Sequence, residues 1–157
     1  MWIASEVVDP VVWHHPTRKS VGYFGAVRLR DGKLVYRRQP EKQKFNGETY
    51  FDFLKHLKRC ASRSGRRVVM IVDNATYHHA RLHKPWRDAQ STQFQLYFLP
   101  PYSPELNPIE RVWKLTRRKC LHNQYFSSLD QVVETVQQQF QLWSKVNSTL
   151  TQLCAIT

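Results

Sequence analysis

Apolar and polar positions alternate along much of the chain in patterns that predict its elements. Residues 21–29 mix β-branched, aromatic and glycine residues, Asp31 and Gly32 follow as a hairpin-turn pair, and residues 33–38 alternate again. Two antiparallel strands are predicted. Beyond them Tyr50, Phe53, Leu54, Leu57 and Cys60 recur at helical spacing, with Lys55, Lys58 and Arg59 opposite and Asn46 placed to cap. This spacing predicts a helix with one face on a sheet. Residues 67–72 form a nearly continuous apolar run of strand length, as expected of a central strand covered on both faces, and the run stops at Asp73 and Asn74.

Residues 80–91 are polar and mixed and read as a helix interrupted near Pro85, and residues 94–99 as a short strand ended by Pro100 and Pro101. A proline-punctuated loop then leads into a helix. Asn107 is its predicted N-cap, Pro108 its first residue, and Glu110 lies three positions past the cap. A last helix opens at Ser127 and places Leu129, Val132, Val133, Val136, Phe140 and Trp143 on one stripe. Residues 144–157 read as a polar tail that frays. The order of elements describes one α/β domain over residues 1–143, a mixed sheet flanked by helices.

Charge narrows the partners. The 157 residues include 24 Lys and Arg against 12 Asp and Glu, a net charge of +12. A surface this basic attracts polyanions irrespective of their sequence, and DNA or RNA is the first class to consider, ahead of acidic membranes. Three cysteines, Cys60, Cys120 and Cys154, are far apart and form no C-x-x-C pair, which argues against a disulfide framework and a structural zinc. With no apolar run of membrane-spanning length and no recognisable signal segment, the expected location is cytoplasmic and DNA-associated, without a membrane partner.

Two carboxylates stand where chemistry could use them. Asp73 is at the carboxyl end of the predicted central strand, where an open α/β sheet forms its ligand crevice, and Glu110 is in the first turn of a helix. Carboxylates fixed in this way could share divalent cations that clamp the attacking and leaving oxygens of a displacement at phosphorus. Mg²⁺, with Mn²⁺ as a substitute, suits such hard oxygen ligands. Each residue also has a plainer reading. Asp-Asn after a strand is a common turn former, and Glu110 could complete a capping box with Asn107. His78, His79 and His83 lack the H-E-x-x-H pattern of a zinc protease and read as solvent or DNA-backbone contacts.

The surrounding text is more specific. DNATYHHA at residues 73–80 and LPPYSPELNPIERVWK at residues 99–114 closely resemble, in order and spacing, the second and third active-site blocks of the mariner-like DDE transposases, including bacterial insertion-sequence enzymes. Residues 21–27 and 45–57 are also similar to that family. The resemblance implies an RNase H-like fold and a DNA-cutting and strand-joining domain. It makes Asp73 the second and Glu110 the third catalytic, metal-binding carboxylate, with Asn74 orienting Asp73; His78, close behind in the same block, is a further candidate to support Asp73. The family's first aspartate lies in an Asp-Glu pair on the first strand, upstream of a tryptophan to which Trp2 is similar. Asp9 and Glu6 are not good matches to it. The resemblance therefore implies an N-terminally incomplete domain without its first central strand, its neighbours left unpaired and its stability marginal. An upstream transposase portion or a second copy would then complete it.

Basic residues beyond Glu110 fit the same function. Arg111, Lys114, Arg117 and Arg118 follow it on the helix and are candidate DNA contacts, although a solvated helix face would look the same. Whether this chain is an enzyme by itself is left open by the sequence. The alternatives are a non-catalytic DNA-binding transposase remnant, which would bind DNA without metal-dependent cleavage, and an RNase H-like nuclease, which would cut without joining strands.

Overall fold

A computed structural model describes residues 20–39, 43–62 and 65–155. Strands β1 (Tyr23–Arg28) and β2 (Lys33–Arg38) form the predicted hairpin, in register from Tyr23 opposite Arg38 to Arg28 opposite Lys33. Gly32 closes the turn at a φ of +69°, a conformation open to glycine without steric cost. Helix α1 (Gly47–Ser62) begins with a reciprocal cap: Asn46 Oδ1 accepts from the Thr49 amide at 2.9 Å, and Thr49 Oγ1 accepts from the Asn46 amide at 3.1 Å. Tyr50, Phe53, Leu54 and Leu57 are buried along one face, as their spacing predicts.

Strand β3 (Val68–Val72) pairs in parallel with β4 (Phe94–Phe98). Between them run two 3₁₀ turns, Thr76–His79 and Arg81–His83, and a short helix α2 (Lys84–Ala89). Pro85 lies in the first turn of α2, so it starts this helix and does not interrupt it; its missing N–H would have no intrahelical partner there. Helix α3 (Pro108–Thr116) continues into a π-helical turn, Arg117–Leu121, and is followed by α4 (Leu129–Trp143). The α4 cap is Ser128, one position later than predicted, and its side chain accepts from the Gln131 amide.

The tail expected to fray folds instead. Helix α5 (Ser148–Leu153) is capped by Asn147, whose Oδ1 accepts from the Leu150 amide and whose Nδ2 donates to Gly32 O, each at 2.9 Å. Leu150 and Cys154 are fully buried against Leu34, Val112 and Phe140. Two apolar residues on one face suffice to dock this otherwise polar segment onto the hairpin.

Two cores meet at β1. On one face Tyr23 and Val27 pack with α3, α4 and α5; on the other Phe24 and Ala26 pack with α1 and with Phe94 of β4. Gly25 faces the first core, where Trp113 of α3 lies so close that a methyl group would collide with its ring. This close approach fixes the distance of α3, and hence of Glu110, from β1.

The predicted single mixed sheet is, among the described residues, two separate pairs, β1–β2 and β3–β4. Nor is β3 covered on both faces. Val68 and Met70 pack toward α1, whereas Val69 and Ile71 are 55% and 41% exposed. The reason lies in the helices: α3 and α4 dock on the hairpin and leave that face of β3–β4 open. The arrangement is mixed α/β, with small sheets flanked by helices.

Candidate active site

A cleft of about 450 Å³ separates the two strand pairs, and Asp73 and Glu110 both line it. Asp73 arrives on the residue that follows β3, where the ladder ends and the chain turns away. Glu110 arrives in the first turn of α3, which Pro108 starts and the packing of Trp113 on Gly25 positions. The structure thus brings the two predicted carboxylates to one cavity from elements far apart in sequence.

Asp73 is held by its own turn. Its Oδ1 accepts from the Ala75 amide at 3.1 Å and lies 2.9 Å from His78 Nδ1, which also approaches the Asp73 carbonyl oxygen at 2.9 Å. Both oxygens are acceptors, so Nδ1 carries the hydrogen. Burial pushes the His78 imidazole below the usual histidine range, while hydrogen bonding to the Asp73 carbonyl and the charge on Asp73 oppose the shift. The Asp73 side chain is 47% exposed, and no hydrogen bond within the described residues engages its Oδ2.

Glu110 is as uncommitted. The capping-box alternative does not form: Asn107 occupies the N-cap position, but no side-chain bond caps the helix, and the Glu110 amide reaches the Asn107 carbonyl at 3.0 Å. Asn107 is itself buried and lines the cleft beside Glu110. The turn-former reading of Asp73 is true but incomplete, because only one of its oxygens is used by the turn.

Other acids show what compensation looks like in this chain. Asp31 pairs with Arg28 at 2.6 Å, Asp52 with Lys55 at 2.8 Å and Asp88 with Lys84 at 2.7 Å. Neither Asp73 nor Glu110 has a Lys or Arg partner among the described residues, in a chain of net charge +12. The close partner of Asp73 there is His78, which burial biases toward neutrality.

Asn74 does not touch the Asp73 carboxylate. Its Nδ2 donates to Leu99 O, its Oδ1 meets His79 Nε2 at 3.1 Å, and the His79 ring stacks on Phe98 at 4.2 Å. It fastens the end of β3 to the end of β4. His83, read from sequence as a solvent or DNA contact, is fully buried with Nε2 donating to Tyr77 O at 2.9 Å. Helical spacing from His79 concealed this, because the two sit in separate 3₁₀ turns. Among the described residues no group of three or more His, Cys, Asp or Glu could hold a metal.

Of the basic candidates, Lys114, Arg117 and Arg118 are exposed on α3 and the turn that extends it. Arg111 is differently engaged: its Nη1 donates to Leu153 O at 3.1 Å and Ala155 O at 3.0 Å, satisfying carbonyls at the end of α5. Trp2, Glu6 and Asp9 lie outside the described residues. No helix of the described residues is long and apolar enough to cross a membrane.

Comparison with known proteins agrees with this arrangement. The family model of the DDE superfamily endonucleases matches residues 9–133. An uncharacterized protein of Sinorhizobium fredii, y4pE/y4sA, is 40% identical over 111 residues, 70% of this chain and 75% of that protein. The insertion element IS630 39 kDa protein of Shigella sonnei is 30% identical over 87 residues, 55% of this chain but 25% of its own length. Among solved structures, the Mos1 transposase paired-end complex with left transposon end superposes with a TM-score of 0.72 at 21% identity, covering 98% of this chain and 45% of that one. The Mos1 catalytic domain solved with Raltegravir and Mg gives a TM-score of 0.58 at 22% identity, over 78% and 63% of the two chains. The chain belongs to the DDE superfamily endonucleases and has the catalytic-domain fold of the mariner-like transposases.

Proposed function

We propose that this chain forms part of a transposase active site that cleaves and joins DNA phosphodiesters during DNA transposition, with Asp73 and Glu110 as its ligands for Mg²⁺ or Mn²⁺. The observation that carries the reading is the convergence of two carboxylates on one cleft, neither in a salt bridge with Lys or Arg among the described residues. Their donor set fits such ions: hard carboxylate oxygens, one of them held in place by Ala75 and His78, with room left for waters and phosphate oxygens. When bound, divalent cations supply Lewis acidity at the phosphorus and a more acidic water or hydroxyl nucleophile.

This chain's own contributions are positional. His78 and the Ala75 amide orient Asp73, the Asn74 link to Leu99 keeps the strand ends together, and Trp113 against Gly25 sets the approach of Glu110. Lys114, Arg117 and Arg118 supply positive charge for the DNA backbone near the site. An upstream transposase portion or a second copy contributes the first carboxylate of the set. The relatives have sequence to spare for this role, since the chain spans 45% of the Mos1 transposase in its paired-end complex and a quarter of the IS630 protein.

Nicking of supercoiled plasmid at low salt tests the reading, with Mg²⁺ or Mn²⁺, with and without the upstream portion, and beside Asp73→Asn and Glu110→Gln. Metal-dependent nicking lost in both variants is expected. DNA binding without nicking under every condition would leave a DNA-binding remnant and overturn the catalytic proposal.

A further inference from the structure

Among the described residues Tyr102 is the most exposed of the large apolar side chains, at 102%, as open as in an extended peptide. Its backbone is unusual as well, with φ at +56°. Pro101 and Tyr102 form the corner of a turn, and glycine or asparagine takes a positive φ there at less cost, because a Cβ crowds the neighbouring carbonyl. Tyrosine at this corner gives the fold neither packing nor a favourable turn. Nothing among the described residues compensates, so what the ring meets lies outside the chain.

The loop that carries Tyr102 is anchored beside both carboxylates. At its start the Leu99 amide donates to Val72 O at 2.8 Å and Leu99 O accepts from Asn74 Nδ2, so Leu99 is gripped by the residues on either side of Asp73. Tyr102 follows three residues later, a span of at most about 11 Å. At the other end Asn107 is buried in the cleft, three positions before Glu110. Between the anchors the loop is stiff. Pro100, Pro101 and Pro104 restrict the backbone, Ser103 Oγ donates to Pro101 O at 3.3 Å, and the Asn107 amide donates to Pro104 O at 3.0 Å. A ring fixed in this way loses little freedom when it meets a ligand.

We propose that Tyr102 stacks on an unpaired nucleobase of DNA, next to the phosphodiester that Asp73 and Glu110 address. A net charge of +12 draws a polyanion to the chain, and a base is the flat apolar group that a nucleic acid brings with it. An aromatic face covers a base whatever its identity, whereas in paired duplex each base is already covered by its neighbours. The ring thus favours DNA opened at the reacting step and does not read sequence. Its place beside the reacting phosphate rests on the transposase reading; stacking on an unpaired base does not.

Binding of the full chain at low salt and without metal tests this with two probes: a duplex carrying one unpaired 2-aminopurine, and the same duplex fully paired. The chain should bind the first about tenfold more tightly and quench its fluorescence. Tyr102→Gly should lose both effects while keeping its Tm and its affinity for the paired duplex. Tyr102→Phe should keep both, and Tyr102→Leu, apolar but not flat, should lose the quenching. No preference for the unpaired probe, or a preference that survives in Tyr102→Gly, would overturn the proposal. So would loss of self-association in Tyr102→Gly on sizing, which would assign the ring to a contact between copies of the chain. Stacking that depends on Tyr102, with no metal-dependent nicking with or without the upstream portion, would keep the proposal and remove the catalytic reading instead.

Discussion

His78 grips Asp73 at two points, with Nδ1 2.9 Å from the carbonyl oxygen and 2.9 Å from Oδ1. A neutral ring that shares one hydrogen between these oxygens holds the Asp73 side chain in a single orientation, with Oδ2 left free for the cleft. Replacing His78 by Ala should therefore weaken the response to metal more than the response to DNA. For His78→Ala we expect the Mg²⁺ concentration at half-maximal nicking by the reconstituted enzyme to rise roughly 10-fold or more, the scale of partners that orient metal ligands. DNA affinity measured without metal should not move.

Arg111 and its neighbours should separate. Because Arg111 donates to Leu153 O and Ala155 O, Arg111→Ala should cost about 1 kcal/mol and lower Tm by roughly 2–4 °C. The combined Lys114→Ala, Arg117→Ala and Arg118→Ala variant should keep its Tm but bind DNA more weakly. Its plot of log affinity against log salt should flatten by about 0.9 for each phosphate that is no longer neutralised. An unchanged salt slope would remove these three from the interface.

Gly25 leaves no space for a side chain beneath Trp113. Gly25→Ala should destabilise by about 1–3 kcal/mol through overpacking, and Trp113→Leu in the same chain should recover part of that stability. Thermal melts of the two single variants and the double variant measure the coupling. Since the same packing also sets the position of α3, Gly25→Ala should reduce nicking even at temperatures where the variant is fully folded.

Burial pushes the His83 imidazole below its ordinary value of 6.5, against the hydrogen bond to Tyr77 O, and its Nδ1 is buried with no partner among the described residues. The folded state therefore favours the neutral ring. As pH falls through about 6.5 the unfolded chain takes up the proton first, so stability present above that pH is lost downward until the folded His83 itself titrates. His56 and His78, also shifted down by burial, act with the same sign. Melts between about pH 8 and pH 5 should show a falling Tm below about 6.5, with a shallower fall in His83→Gln.

Sequence periodicity located most elements because the residues that define them are local. The stripe of Tyr50, Phe53, Leu54 and Leu57 predicts one helix face, and that face is buried. What it could not supply was the covering of each face. Residues 67–72 look like a strand buried on both sides, yet whether Val69 and Ile71 are covered depends on where α3 and α4 dock, a tertiary choice. The folding of residues 148–153 was hidden for a similar reason. Leu150 and Cys154 are two apolar positions in polar text, and only the hairpin turn at Gly32 reveals their partner. At the site, the two motif blocks marked Asp73 and Glu110, while the engagement of Arg111 by the end of α5 carries no local signal.

Strand β1 sends Tyr23, Gly25 and Val27 to one core and Phe24 and Ala26 to the other. Its side chains can be exchanged one at a time, each affecting a single core, but its length is another matter. Inserting or deleting one residue would reverse every face beyond that point, turning Phe24 or its neighbours toward Trp113 and presenting glycine to α1. This six-residue segment should therefore accept substitutions and reject indels, and a library of single-residue insertions and deletions scanned across the chain should show its deepest trough there.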